Sequence, residues 1–105
     1  MFTRIVQCNV KSDSVPTVQD ALVKQVIPLI RQQPGFVDVV ESLNSETGQF
    51  VCMSIWKTQE DSDRWGEKFG QLAPALQPLV EGKVTVSTGR LETSTAHNVA
   101  AGKAA

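Results

Sequence analysis

Two tryptophans, Trp56 and Trp65, stand nine residues apart in the stretch SIWKTQEDSDRW. An indole combines a large flat apolar surface with one N–H donor. Such a pair either fills a core or walls a pocket for a flat organic molecule. The spacing leaves both readings open. Asn9 and Gln7 are the hydrogen-bonding amides of the N-terminal stretch FTRIVQCNV, and Arg90 supplies a cation near the other end. Placed in a dry pocket, an amide or a guanidinium could hold an anionic ligand oxygen; at a strand end or a seam they are ordinary polar residues. Cys8 and Cys52 are isolated thiols in apolar surroundings, without CxxC spacing. They read as buried free thiols.

Several chemistries are excluded by what is missing. His97 is the one histidine and lies in a tail of small residues, so no hydrolytic triad is supported. No H-x-x-x-H or paired-carboxylate spacing suggests a metal. Gly66 and Gly70 fall inside a helical pattern rather than a phosphate loop. Tyrosine is absent. Asp61, Asp63, Arg64 and Glu67 alternate in sign and read as a solvated helix face. The net charge of −1 comes from mixed acids and bases, with no basic stripe for nucleic acid. No apolar run is long enough to span a membrane, and Arg4 interrupts the N-terminus too early for a leader, so a cytoplasmic location is expected.

These residues need elements to position them. Residues 2–10 read as a strand. Val15, Val18, Leu22, Val26 and Leu29 form a helical stripe, with Ser12 or Ser14 as cap, Pro16 in the first turn and Pro28 kinking or ending the helix. Pro34-Gly35 stops it. FVDVVESL and QFVCMSIWK, joined by NSETG, predict an antiparallel hairpin. Thr58-Gln59-Glu60-Asp61 resembles a capping box. Trp65, Phe69, Leu72, Leu76 and Leu79 then share a helical face, which Gly70 and the prolines are expected to break after residue 69. KVTVSTGRLE is a fourth strand. The order β-α-β-β-α-β predicts an α+β, ferredoxin-like domain over residues 1–92. The tail, residues 93–105, is expected to be flexible or packed on a partner subunit.

In the third strand Phe50, Cys52, Ser54 and Trp56 face one way, and Val51, Met53 and Ile55 the other. Both faces are largely apolar, and two helices cover only one. A homodimer with sheets packed face to face is the expected cover.

The succession PGF, strand, glycine hairpin, strand ending in Trp56, polar cap and helix resembles the antibiotic biosynthesis monooxygenase family. That family belongs to the dimeric α/β-barrel superfamily, and the resemblance covers roughly residues 2–92. It implies a small homodimer with a pocket between sheet and helices. Some members oxidise phenolic or quinol-type aromatics with molecular oxygen and no cofactor; others degrade haem. Trp56 matches a tryptophan near the family's pocket, and Trp65 a helix tryptophan of the haem-degrading branch. That branch's iron-ligating histidine is replaced here by the stretch Ala73-Pro74-Ala75-Leu76-Gln77, which argues against haem. Asn9 or Cys8 falls near its first-strand asparagine. The resemblance therefore implies a cofactor-free monooxygenase of small aromatics. Asn9, Trp56 and Arg90 are the expected catalytic residues, and Trp65, Phe69, Cys8 and Leu72 the expected substrate contacts. A module of the same fold that only binds a small molecule, or only dimerises, is the alternative.

Overall fold

A computed structural model describes residues 1–99. Four antiparallel strands form one sheet in the order β2-β3-β1-β4. They are β1 (Phe2–Val10), β2 (Phe36–Leu43), β3 (Gln49–Trp56) and β4 (Val80–Arg90). Two helical connections cross one face, so the architecture is α+β and ferredoxin-like, as the residue pattern predicts. The first three strands match the expected segments closely, while β4 starts at Val80 rather than Lys83 and ends at Arg90.

The first helical connection departs from expectation. Helix α1 (Val15–Ala21) leads into a π-helical segment, Leu22–Val26, and then α2 (Ile27–Ile30). Pro28 does not end the run, which continues to Ile30. Its ring lacks an N–H and would press on the Lys24 carbonyl in a regular helix. One wider turn, in which the Ile27 N–H reaches the Leu22 carbonyl, accommodates it. Ser14 stands at the N-cap, but its hydroxyl donates to Asp13 at 3.3 Å rather than capping the helix.

Helix α3 (Gln59–Leu76) is also longer than expected, running through Gly70 and Pro74 without a break. Pro74 lies in the last turn, where it forfeits one hydrogen bond of an already well-packed helix. Pro78 falls in a short 3₁₀ turn, Gln77–Leu79, where no donor is required. At the start, the Thr58 hydroxyl accepts the Asp61 N–H at 3.1 Å and donates to the Asp61 carboxylate at 2.9 Å. Gly35, at φ +78°, turns the chain into β2 where any Cβ would collide with the Asp61 side chain.

The sheet's two faces differ. Toward the helices, Val10, Val15, Val18 and Phe50 make one buried cluster, and Val26, Ile30, Trp56 and Trp65 another. The opposite face carries Val40, 54% exposed, beside Met53, its partner in register. One corner of that face is covered by the chain's own C-terminal segment. There Leu91 and Val99 pack on Ile55 and Val37, and the His97 Nε2 lies 3.1 Å from an Asp38 carboxylate oxygen. Residues 91–99 thus lie on their own sheet; residues 100–105 of the expected tail fall outside the described residues. Among the described residues no helix is long and apolar enough to cross a membrane.

Candidate functional site

The helix-covered face of the sheet is a grid fixed by strand register. In one row Val39 of β2, Ser54 of β3 and Arg4 of β1 lie side by side. In the next are Glu41, Cys52 and Val6, and in the third Leu43, Phe50 and Cys8. Period two places all of them on the side of the helices. Beyond the first row the sheet ends at Trp56, paired with Phe2 and Phe36.

That end is filled. Trp56 is fully buried. Phe36 meets it edge-on at 5.9 Å between centroids, Trp65 stacks on it at 6.1 Å, and Phe69 continues the series at 5.9 Å from Trp65. Edge-on and offset contacts of this kind are the favoured arrangements for aromatic rings. The Trp56 Nε1–H donates to the Ser54 hydroxyl at 2.9 Å, and that hydroxyl donates to the Arg4 carbonyl at 3.4 Å. The indole therefore has no free donor for a ligand.

Beyond Trp65 the interior is hollow. A cavity of about 190 Å³ lies between the sheet rows and the inner faces of α1, the π-helical segment and α3. Its walls are mostly apolar, with Val18, Leu22, Val26, Trp65, Phe69 and Leu76 on the helix side. A dry cavity of about 150 Å³ already takes a benzene ring, so this one suits a small aromatic. The polar groups come from the floor: Arg4, Glu41, Cys52, Ser54 and Cys8, with Gln77 at the helix side.

Arg4 reaches the cavity past α3 at Gly66. A Cβ there would stand 2.6 Å from the guanidinium carbon, so the glycine makes room for the cation. Among the described residues Arg4 has no ion-pair partner. Glu41 is held differently. Burial pushes its carboxyl above the ordinary carboxylate range, and the Cys52 thiol partly offsets this by hydrogen bonding to it. Its Oε2 is buried with no partner. Burial and then the Glu41 charge push the Cys52 thiol up to about 12, and burial alone raises Cys8. Both thiols therefore stay protonated and unreactive near neutral pH.

Of the residues singled out in the sequence, Trp65, Phe69 and Cys8 line this cavity. Trp56 stands behind Trp65 as core. Leu72 is half-buried on α3 outside the lining. Asn9 is one residue out of phase with Cys8 and points to the opposite face, in a shallow polar groove with Gln7, Gln49, Lys83 and Thr85. Arg90 ends β4 and pairs with Glu92 at 3.0 Å, both half-exposed. The structure thus separates Asn9 and Arg90 from the cavity and brings in Arg4, Glu41, Cys52 and Ser54, which sequence reasoning passed over. A signal for the two charges was present: Arg4 shares its phase with Val6 and Cys8, and Glu41 with Val39 and Leu43.

The family model described as antibiotic biosynthesis monooxygenase matches residues 1–74. No curated protein matches the chain. Solved structures share its fold at low identity. A crystal structure of an antibiotic biosynthesis monooxygenase is 21% identical, with a TM-score of 0.72, over 87% of this chain and 98% of that one. A monooxygenase from the gene ActVA-Orf6 of Streptomyces coelicolor, in complex with nanaomycin D, is 16% identical, with a TM-score of 0.71, over 89% and 88% of the two chains. A variant of SnoaB, a cofactor-independent oxygenase from Streptomyces nogalater, is also 16% identical, with a TM-score of 0.71, over 90% and 95%. By the family model, which spans most of its sheet and both helical connections, this chain belongs to the antibiotic biosynthesis monooxygenase family.

Proposed function

We propose that the protein is a cofactor-independent monooxygenase of a small phenolic or quinol-type aromatic, working as a homodimer. The observation that carries the reading is an apolar cavity of about 190 Å³ walled by Trp65 and Phe69, with a guanidinium on its floor, Arg4, that has no ion-pair partner among the described residues. Family membership and the likeness to the ActVA-Orf6 monooxygenase and to SnoaB, a cofactor-independent oxygenase, support it.

The chemistry asks little of the protein beyond a dry, shaped site. A phenol reacts with oxygen through its anion. The phenolate passes one electron to O2, and superoxide and the phenoxyl radical combine as a peroxide at a ring carbon. Loss of water then leaves a quinone. In sum, HO–Ar–H and O2 give the quinone and H2O. Low dielectric strengthens the attraction between Arg4 and the phenolate, which lowers the cost of forming the anion. Trp65 and Phe69 hold the ring flat, and the apolar walls exclude water from the radical pair. The exposed Val40 beside Met53 on the opposite face supports a second copy as its cover.

Oxygen consumption by purified protein against hydroquinones, naphthoquinols and anthrones tests the reading, with light scattering on the same sample. Uptake above the spontaneous rate, reduced at least tenfold by Arg4→Leu, in a particle of twice the chain mass is the expected result. A folded protein that consumes no oxygen with any of these would contradict the oxygenase assignment and leave a binding module. A monomeric mass would contradict the dimer.

A further inference from the structure

The cavity floor holds a carboxylate as well as a cation, and the two sit in different rows and on strands separated by β3. By register Arg4 neighbours Ser54, while Glu41 neighbours Cys52 one row on. A ligand hydroxyl held over the floor between them meets the cation at one side and the carboxylate at the other. Glu41 is an unusual residue for this place. Its Oε2 is buried and makes no hydrogen bond. An orphaned acceptor in an apolar wall is costly, and Glu41 lines the cavity where a ligand could meet it.

We propose that Glu41 is a catalytic residue that accepts the hydroxyl proton of the bound phenol, held in position by Cys52. This rests on the phenol-oxidising reading above and adds the base that reading requires. The step is a proton transfer: Ar–OH and the Glu41 carboxylate give Ar–O⁻ and the Glu41 carboxylic acid. The phenolic O–H bond breaks, its electron pair stays on the phenolic oxygen, and an O–H bond forms at the Glu41 carboxylate. Arg4 then faces the new phenolate. Burial raises the Glu41 carboxyl, which brings its basicity closer to that of a phenolate and eases the transfer. The thiol of Cys52, itself too weak an acid to compete, hydrogen-bonds to the carboxylate. The other titratable groups around the cavity are Arg4 and Cys8, both on β1. The helices contribute Val18, Leu22, Val26, Trp65, Phe69 and Gln77, none of which titrates.

The test separates this inference from the oxygenase assignment by reading binding without oxygen. Quenching of Trp65 reports the affinity of 1-naphthol and of its methyl ether, which has the same ring and no proton to give. A charge-assisted hydrogen bond makes the wild type prefer the naphthol by roughly 10- to 100-fold at pH 8. The preference should shrink as pH falls and Glu41 protonates, and should fall to about threefold or less, at every pH, in Glu41→Gln. Glu41→Asp, which keeps the charge, should retain part of it. No preference in the wild type, or one unchanged in Glu41→Gln, overturns the assignment whatever the oxygen electrode shows. A preference lost in Glu41→Gln, in a protein that consumes no oxygen, upholds Glu41 as the phenol acceptor and sinks the oxygenase reading instead. If Glu41→Gln keeps both the affinity and the oxygen uptake of the wild type, another group is the base.

Discussion

The two ends of the helix-covered sheet face are built from the same kind of strand and reach opposite outcomes. At the Trp56 end every large group is packed and the indole donor is satisfied by Ser54. At the Glu41 end a carboxylate oxygen is buried and orphaned beside a cavity. The filled end is what a fold needs for stability, since close packing and satisfied polar groups both stabilise. The hollow end works against stability, which makes sense where a ligand completes the interior. Trp65 is the boundary: it stacks on Trp56 and also lines the cavity.

If the ends differ in this way, damage to them should differ too. The largest effect is expected from Trp56→Ala. It removes the fully buried ring, leaves Phe36 and Trp65 without their shared neighbour, and strips the Ser54 hydroxyl of its donor. A loss of about 3–5 kcal/mol is predicted, read as a lower urea midpoint. A loss under about 1 kcal/mol would mean that the aromatic series is not the stabilising end.

A smaller effect of opposite sense is expected from Glu41→Gln. The folded state holds the Glu41 proton more tightly than the unfolded chain does. That contribution is fully present below the unfolded carboxylate value and is lost as pH rises through the folded one. The wild type therefore loses stability relative to Glu41→Gln as pH rises above about 4, the ordinary carboxylate value. Urea unfolding of both proteins at pH 4.5 and pH 8 should show the variant gaining on the wild type at the higher pH. Parallel stabilities at the two pH values would show that Glu41 is not a strained group.

Much of this arrangement was legible in the residues. The hairpin, the facing of Phe50, Cys52, Ser54 and Trp56, and the Thr58 cap follow from period two and local capping chemistry. Phase alone also puts Asn9 away from Cys8 and puts Arg4 and Glu41 among core positions. Residue type alone points to Asn9, whereas phase points to the two charges. Other features depend on long-range packing. Pro28 is absorbed by a π-helical turn because the flanking residues Val26 and Ile30 are anchored in the core. Helix α3 survives Pro74 for a similar reason, with Trp65 and Phe69 packed against the sheet side. The fold-back of Leu91 and Val99 onto Ile55 has no periodic signature, and the cavity itself is a volume left between helices that no single segment encodes.

The central claim is that the hollow end is a site for a small aromatic, and filling it tests that most directly. Ala21 lines the cavity from α1, and Ala21→Leu adds bulk there with a good helix former. Titration of 1-naphthol against tryptophan fluorescence should show saturable quenching in the wild type. In Ala21→Leu the affinity should fall at least tenfold while the urea midpoint is kept or raised. Equal affinity in the two proteins, with the variant folded, would place the ligand elsewhere and contradict the account.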